Sequence, residues 1–288
     1  VLFLAKNPAV KSGWRYENAI LNLISFEIRV YNFGKARSLL KDIGRVLTKH
    51  FYNNFLLKEI VFHLNLITVD INGVKRNIDQ LSEITEHLIH ANIFKRKVYY
   101  FDAIYRYTFK PDVDVTMLNS SLNFSDFPDE KWKFYHRVFS IQLLIESEKY
   151  ELADAQIENN RKYIERMKKS DVLDSRQELI GKVLIELSRK SYDFKKVSKS
   201  KHKELTLLDS VEPEYRWQIM SPEFIVFQEW FKAQLNHEKY DHGKVMERMK
   251  AKISPVVQKP LVTLKPDDGS KYNRRVPSGA KRKKLATA

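Results

Sequence analysis

The chain has 288 residues, 43% hydrophobic and 30% charged, a balance that is typical of a folded soluble protein and excludes a wholly disordered chain. It contains no cysteine, which excludes disulfides, thiolate metal sites and cysteine nucleophiles. Its few Gly and Pro residues disfavour an all-β fold, and its net charge of +15 favours polyanionic partners such as RNA, DNA or an acidic membrane surface.

Residues 1–15 are predicted to be a lead-in before the first helix. The chain begins with Val1 rather than Met, and we expect it to be a piece of a longer protein. Its apolar start is too short for a signal sequence, and no apolar run approaches the roughly 18 residues that a membrane span needs. We therefore expect a cytoplasmic protein without a membrane span.

Apolar residues recur at spacings of three and four over most of the chain, which indicates amphipathic helices. Short turns between these helices make consecutive helices antiparallel. An Asn72-Gly73 pair predicts one such turn, and residues 112–128 are predicted to be mostly loop. The predicted helices span residues 16–31, 35–49, 55–71, 74–91, 94–109, 129–146, 151–169, 175–190 and 195–208.

A last helix is predicted over residues 221–236. Ser221 is a favourable N-cap, and Pro222 suits the first helical position. Pro and Gly interrupt every pattern from Ser254 onward. The sequence therefore predicts a helical-repeat domain over residues 16–253 and an extended basic tail over residues 254–288.

Three of the turns share a sequence pattern. In each, an aromatic residue precedes a small or β-branched apolar residue by three positions. The aromatic residue fills the gap where two helices diverge, and the small residue lets the second helix pack closely. The pairs are Phe33 and Ala36, Tyr150 and Ala153, and Phe194 and Val197.

This pattern resembles the turn of tetratricopeptide repeats, where an aromatic residue and an Ala hold the same relative positions. Over residues 16–208 the resemblance implies an all-α fold of stacked antiparallel hairpins, an α-solenoid. The last two turns lie 44 residues apart, from Tyr150 to Phe194, longer than the usual period of roughly 34, which indicates degenerate repeats.

A second resemblance covers residues 171–234, through Tyr215-Arg216-Trp217 and Glu229-Trp230-Phe231 among other motifs. This stretch looks like the C-terminal part of an uncharacterised bacterial family of tetratricopeptide-like proteins. The resemblance implies no catalytic residues, and it implies that the chain is the C-terminal half of a longer solenoid.

Two groups of polar residues have the composition of a chemical site. Glu83, His87 and His90 share one helical face with zinc-ligand spacing, but the sequence offers no fourth ligand, so a solvated polar face is the favoured interpretation. The second group is Asp241 and His242, with His237 nearby. Asp and His side chains can act as acid and base, but no nucleophilic Ser flanked by Gly accompanies them. The chain also lacks a Gly-rich phosphate loop. We expect no catalytic, metal or cofactor site.

Two surface patches are candidates for partner binding. The first interleaves cations with aromatic residues, which suits single-stranded nucleic acid, although aromatics at helical spacing also suit a core. The second is rich in aromatics and either caps the helical stack or lines a peptide groove. The first patch contains Lys95, Arg96, Lys97, Tyr99 and Arg106, and the second contains Tyr215, Arg216, Trp217 and Trp230.

The tail carries a dense positive charge. Its last 18 residues hold seven cations and no acid, and subtracting them from +15 leaves +8 for the rest of the chain. The tail is either a solvated end or a polyanion-binding segment with strong salt dependence. The cations are Lys271, Arg274, Arg275, Lys281, Arg282, Lys283 and Lys284.

The sequence favours a non-catalytic scaffold that binds other proteins through its helical surface, with the tail adding affinity for a polyanion. The alternative is an RNA-, DNA- or ribosome-associated protein in which the tail and the Lys/Arg/Tyr patches carry the main binding. Binding that persists at high salt favours the first, and binding lost at moderate salt favours the second. Oligomeric state is left open.

Overall fold

A computed structural model describes residues 14–43, 51–86, 92–110, 112–120, 127 and 129–257. Every regular element in these ranges is an α-helix, which confirms the predicted all-α class for this part of the chain. Thirteen helices lie in these ranges. They are α1 (Trp14–Arg29), α2 (Phe33–Ile43), α3 (Phe51–Ile67), α4 (Ile71–Glu86), α5 (Asn92–Phe109), α6 (Val115–Ser120), α7 (Glu130–Glu146), α8 (Tyr150–Lys169), α9 (Ser175–Arg189), α10 (Phe194–Ser200), α11 (His202–Leu208), α12 (Phe227–Leu235) and α13 (His242–Val257).

Helices that are neighbours in sequence pack against each other, as expected for short connections. The pairs α1–α2, α3–α4 and α7–α8 are in extensive contact, α5 packs on α4, and α9 packs on α8, α10 and α11. The described buried side chains form two apolar clusters. One joins α3 through α12, and the other joins α1, α2 and α3 to residues 217–226 and α13.

The helix pairs are joined by turns that contain a left-handed residue. Tyr31, Val69 and Glu148 have φ values of 61°, 57° and 57°. The next backbone N–H bonds the carbonyl five residues back, as Asn32 does to Glu27 at 2.8 Å. This geometry satisfies carbonyls that the end of a helix leaves free, and it reverses the chain within two or three residues.

The predicted turn at Asn72-Gly73 is wrong, because both residues lie in the first turn of α4. The chain reverses earlier, and Asp70 accepts the Gly73 N–H at 2.9 Å through Oδ1. A Cβ at position 73 would come within 2.5 Å of Asp70 Oδ2 and 2.7 Å of Asn65 Nδ2. Gly73 is therefore needed for close approach to the turn and not for the turn itself.

The start of the second helix in each pair repeats one arrangement. Phe33, Tyr150 and Phe194 begin α2, α8 and α10, and their side chains are partly exposed. The residue three positions later is fully buried each time, which lets the two helices pack closely. The structure adds a fourth copy at the start of α4, with Ile71 as the first residue. The four buried residues are Ala36, Val74, Ala153 and Val197.

The predicted last helix over residues 221–236 is wrong in its first third, because α12 begins only at Phe227. The Glu223 carbonyl, which a helix would use, accepts the Trp217 indole N–H at 2.8 Å. The Glu223 carboxylate accepts the Phe227 N–H at 3.0 Å instead. These bonds hold residues 217–226 in a non-helical path. No helix forms over residues 209–226, and we call this segment the strap.

Two further differences concern the C-terminal third. The single helix predicted over residues 195–208 is two helices separated at Lys201. The sequence pattern also missed α13, which begins at His242 and runs past the predicted boundary at Ser254 to Val257. Pro255 lies in its last turn. The buried side chains of α13 belong to the same apolar cluster as those of α1, α2 and α3, so the strap and α13 connect the end of the described chain to its start.

Candidate protein-interaction surface

The first helices of successive pairs lie side by side. Asn53 of α3 donates a buried hydrogen bond to Glu17 of α1 at 2.6 Å. Phe62 of α3 stacks on Phe101 of α5 with ring centroids 4.2 Å apart. Helix α7 continues the row through ring contacts of Trp132 with α5, and Lys131 of α7 pairs at 3.2 Å with Asp174, the N-cap of α9. The side of the molecule formed by α1, α3, α5, α7 and α9, on which the strap lies, is called the first-helix face.

Phe224 of the strap is the central apolar contact with this face. Its ring is buried, and its centroid lies 5.6 Å from Phe62, 5.7 Å from Phe101 and 6.1 Å from Trp132. These three rings come from α3, α5 and α7. The side chain therefore bridges three helices that are distant in sequence, and it gains both burial and edge-to-face aromatic contacts.

Glu223 forms a buried ion pair next to Phe224. Its carboxylate receives Arg176 Nε at 2.6 Å and Nη2 at 2.7 Å, a bidentate arrangement. Arg176 also bonds the side chain of Gln228 and the carbonyls of Leu208 and Tyr215. Burial alone would lower the pKa of Arg176, but the carboxylate outweighs it and raises that pKa. The pair joins the strap to α9.

A second polar contact connects α12 to α7. Glu146 accepts the Trp230 indole N–H at 2.7 Å and the Tyr107 hydroxyl at 2.5 Å. Burial raises the pKa of Glu146 above its usual value, against these two hydrogen bonds, which lower it. The carboxylate is therefore used in packing α12 onto α5 and α7.

The Asp241–His242 pair lies at the start of α13 and has a structural arrangement. Asp241 accepts the Lys244 N–H at 3.1 Å as an N-cap. His242 is buried, its Nε2 lies 3.1 Å from the Leu66 carbonyl, and burial lowers its pKa to about 4. The imidazole is therefore neutral near pH 7 and donates its Nε2 proton to that carbonyl. His237 is in the preceding turn with φ 58°.

Part of the first-helix face is not covered by the strap. Phe26 of α1 is 56% exposed and Tyr52 of α3 is 61% exposed. Leu56 lies one helical turn after Tyr52 and lines, with Phe26 and Met220, a cavity of about 400 Å³ between α1 and α3. Phe26, Tyr52 and Leu56 are called the open stripe. Arg29 lines the same cavity and is exposed.

The predicted basic and aromatic patch on α5 is divided between two sides of the helix. Lys97 faces the first-helix side, where its Nζ lies 3.0 Å from Glu59 and 4.3 Å from the Trp132 ring centroid. Tyr99 lies about 200° around the helix from Lys97, and therefore on the other side, where it is 65% exposed. Arg106 pairs with Asp102. Of the other two predicted cations, Lys95 and Arg96 are both half-buried. The aromatics Tyr100, Phe101 and Tyr105 are buried.

The second predicted patch is mostly internal. Trp217 and Trp230 are buried, with both indole N–H groups bonded inside the protein. Tyr215 and Arg216 are half-buried at the edge of the strap. Their arrangement matches a structural cap on the helices more closely than a groove open to a peptide.

Some predicted site residues lie outside the part of the chain that the structure describes. The seven tail cations and two members of the trio, His87 and His90, lie outside the described residues. Among described residues, no cluster of three or more His, Asp or Glu side chains has the arrangement of a metal site. None of the helices in this part of the chain has the length and apolar character that crossing a membrane requires.

Sequence reasoning missed both the strap contacts and the open stripe. Phe26 carried a signal, because it lies two residues from the apolar Ile24 and Ile28, which are four residues apart, and therefore on the opposite side of the helix from both. Arg176 carried none, since its partner Glu223 is 47 residues away and no local pattern connects them.

Comparisons with protein-family models, curated proteins and solved structures found no match to this chain. The described part of the chain is all-helical, and its helices pack in sequence order. This agrees with the resemblance to tetratricopeptide repeats in architecture, and in nothing finer. Its function is therefore inferred from its own residues and contacts.

Proposed function

We propose that the chain is a non-catalytic scaffold, a tetratricopeptide-like α-solenoid that binds other proteins through its first-helix face. The observation that carries this proposal is that the face already binds a non-helical polypeptide segment, the strap, within the same molecule. A surface with a ring-lined pocket and a matched charge has the chemistry needed to hold a segment from another protein.

The open stripe supplies the accessible part of this surface. Two large aromatic side chains, Phe26 and Tyr52, are more than half exposed on adjacent helices. Exposed aromatic residues beside a cavity are typical anchors for a partner side chain. The 400 Å³ cavity between α1 and α3 has room for one such side chain.

Four ionisable groups with pKa values shifted by burial are all engaged in packing. His63 and His136 are buried among aromatic rings, and burial lowers the pKa of each to about 3. Glu59 pairs with Lys97, and Glu146 bonds Trp230. Each group is used in packing, so the proposal assigns no acid or base.

Affinity capture with matched variants tests this function. We expect a chain with Phe26→Ala and Tyr52→Ala to lose a defined set of partner proteins that the wild-type chain retains from nuclease-treated native lysate. Tyr99→Ala is the control, because Tyr99 is as exposed as Phe26 and Tyr52 but lies on α5, on the side away from the first-helix face. Quantitative mass spectrometry that finds the same proteins on all three chains would contradict the proposal.

A second candidate function, nucleic-acid or ribosome association, is favoured by the net charge of +15 and by the tail cations. Its test is a chain that ends at Val257, since α13 runs to that residue and Ile253 is buried. If the tail carries the main binding, this truncation, nuclease or moderate salt each abolishes partner recovery. Recovery that survives all three treatments favours the protein scaffold.

A further inference from the structure

The strap presents two adjacent side chains to two different subsites of the first-helix face. Met220, with φ 69°, is left-handed at the start of this stretch, and no helix forms until Phe227. Ser221 Oγ accepts the Glu223 N–H at 3.4 Å, which stabilises the local turn. Glu223 and Phe224 then enter their subsites side by side.

The apolar subsite is built for a flat ring. Besides the rings of α3, α5 and α7 already described, the imidazole of His63 lies 4.9 Å and the ring of Tyr100 lies 5.5 Å from Phe224. Aromatic groups on several sides restrict the orientation of the bound side chain. An aliphatic residue would fill the volume without these ring contacts.

The acidic subsite is built for a carboxylate. Arg176 is 4% exposed and presents Nε and Nη2 together to Glu223. A planar guanidinium fork matches two carboxylate oxygens, and an amide in the same place would leave a buried cation uncompensated. The subsite therefore selects Glu or Asp over Gln or Asn.

Few main-chain bonds hold the strap at this point. The Pro222 carbonyl accepts the Tyr100 hydroxyl at 3.3 Å, and the Val226 N–H donates to Tyr240 Oη at 3.2 Å. Recognition therefore rests mainly on the two side chains, and their order is fixed because Arg176 lies on α9 while the rings lie on α3, α5 and α7.

We infer that these two subsites form a recognition site for an acidic–aromatic pair in a non-helical segment, and that the strap is its built-in occupant. A partner protein with an exposed Glu-Phe or Asp-Phe pair binds there by replacing the strap. This inference rests on the proposed function, because it names the kind of segment that the first-helix face takes. The partner binds only while the strap is out of the site. The apparent affinity for the partner is therefore the intrinsic affinity multiplied by the fraction of time that the site is free.

Binding of a peptide in trans to the full chain tests the site. The probe is a fluorescent synthetic peptide with the sequence from Trp217 to Gln228, and the receptor is the chain with Phe224→Ala, which empties the ring subsite. We expect this chain to bind the peptide at least about ten-fold more tightly than the wild-type chain, and the peptide to raise its Tm. Leu152→Ala, as a control chain, should bind like wild type, because Leu152 is exposed on α8, outside the first-helix face.

Altered peptides distinguish recognition from general stickiness. A peptide carrying Phe224→Ala or Glu223→Gln should bind at least about ten-fold more weakly than the unaltered peptide. Circular dichroism checks that the receptor stays helical. A chain with Glu223→Gln, which removes the carboxylate that occupies the acidic subsite, serves as the second receptor if the Ala variant unfolds. Equal binding of all peptides, or no binding to a folded receptor, would overturn the inference.

Failure of this inference is separable from failure of the proposed function. If the peptide does not bind while capture still depends on Phe26 and Tyr52, only the acidic–aromatic site is refuted. If capture is also independent of Phe26 and Tyr52, the scaffold function is refuted with it.

Discussion

The buried pair of Arg176 and Glu223 is a single contact on which the strap depends. Breaking it from one side leaves the other charge buried without compensation, which typically costs about 3–5 kcal/mol. We expect Arg176→Met to lower the free energy of unfolding by that amount in urea titrations. The variant also removes two hydrogen bonds to main-chain carbonyls, so its effect should lie at the upper end.

An exposed ion pair is the control for this variant. Lys75 and Asp79 on α4 are about half exposed, and such pairs contribute roughly 0–1 kcal/mol. Asp79→Asn should therefore change the unfolding midpoint very little. A loss below about 1 kcal/mol for Arg176→Met would mean that the pair does not hold the strap.

The buried histidines predict a pH dependence of stability. Burial lowers the pKa of His63 and His136 to about 3 and that of His242 to about 4, whereas unfolded histidine titrates near 6.5. Since the unfolded chain binds these protons first, stability is full above about pH 6.5 and is lost as the pH falls toward 3 to 4. Each group contributes a slope of up to about 1.4 kcal/mol per pH unit.

Replacing one histidine measures its share of that slope. His63→Phe keeps an aromatic ring between Phe62 and Phe224 but removes the titration. We expect unfolding titrations between pH 7 and 5.5 to give a smaller slope than wild type. Burial raises the pKa of Glu59 and Glu146, which opposes the trend, but both carboxyls are present in the variant and in the wild type and so do not affect the difference between them. An unchanged slope would show that His63 does not stay neutral in the folded chain.

The chemistry of these individual contacts was not predictable from local sequence. Apolar periodicity identifies which residues are buried, but a buried Arg or His is satisfied by a partner that only the fold supplies. Arg176 finds its partner in the strap, and His242 finds the Leu66 carbonyl. Both partners are separated from their groups by long stretches of chain.

At the scale of elements, the N-terminus of α9 offers a measurable contribution. The Asp174 carboxylate accepts the Gln177 N–H, and Gln177 Oε1 accepts the Asp174 N–H. Together these two hydrogen bonds form a complete capping box. Asp174→Ala should lower the free energy of unfolding by about 0.5–2 kcal/mol in urea. Lys149→Ala is the control, because Lys149 precedes α8 without a side-chain cap bond. Equal effects of the two substitutions would contradict the role of the cap.

Most helices were predictable because their signals are local. Apolar spacing gave their positions, and the aromatic-to-small pattern gave three of the pair turns. The turn at Asp70 was missed because Asn72-Gly73 is a stronger general turn signal than the left-handed Val69 that reverses the chain. Residues 221–226 of the strap were predicted as helix because Ser221-Pro222 is a good helix start. In the structure the Glu223 carbonyl accepts the Trp217 indole N–H instead, and the Glu223 carboxylate accepts the Phe227 N–H.

At the scale of the molecule, the strap covers part of the first-helix face and leaves Phe26 and Tyr52 of the open stripe exposed. The sequence placed a candidate surface on α5 and among the C-terminal aromatics. It was not able to show that Trp217 and Trp230 are internal, because long-range packing decides which aromatic side chains are covered.

The most direct measurement is site-specific photocrosslinking from the open stripe of the full chain. A benzophenone amino acid replaces Phe26 in one protein and Tyr99 in another, and both are irradiated in nuclease-treated native lysate. The proposed function predicts a discrete crosslinked partner band from position 26 and none from position 99. Equal, diffuse crosslinking from both positions, or no band from position 26, would contradict binding through the first-helix face.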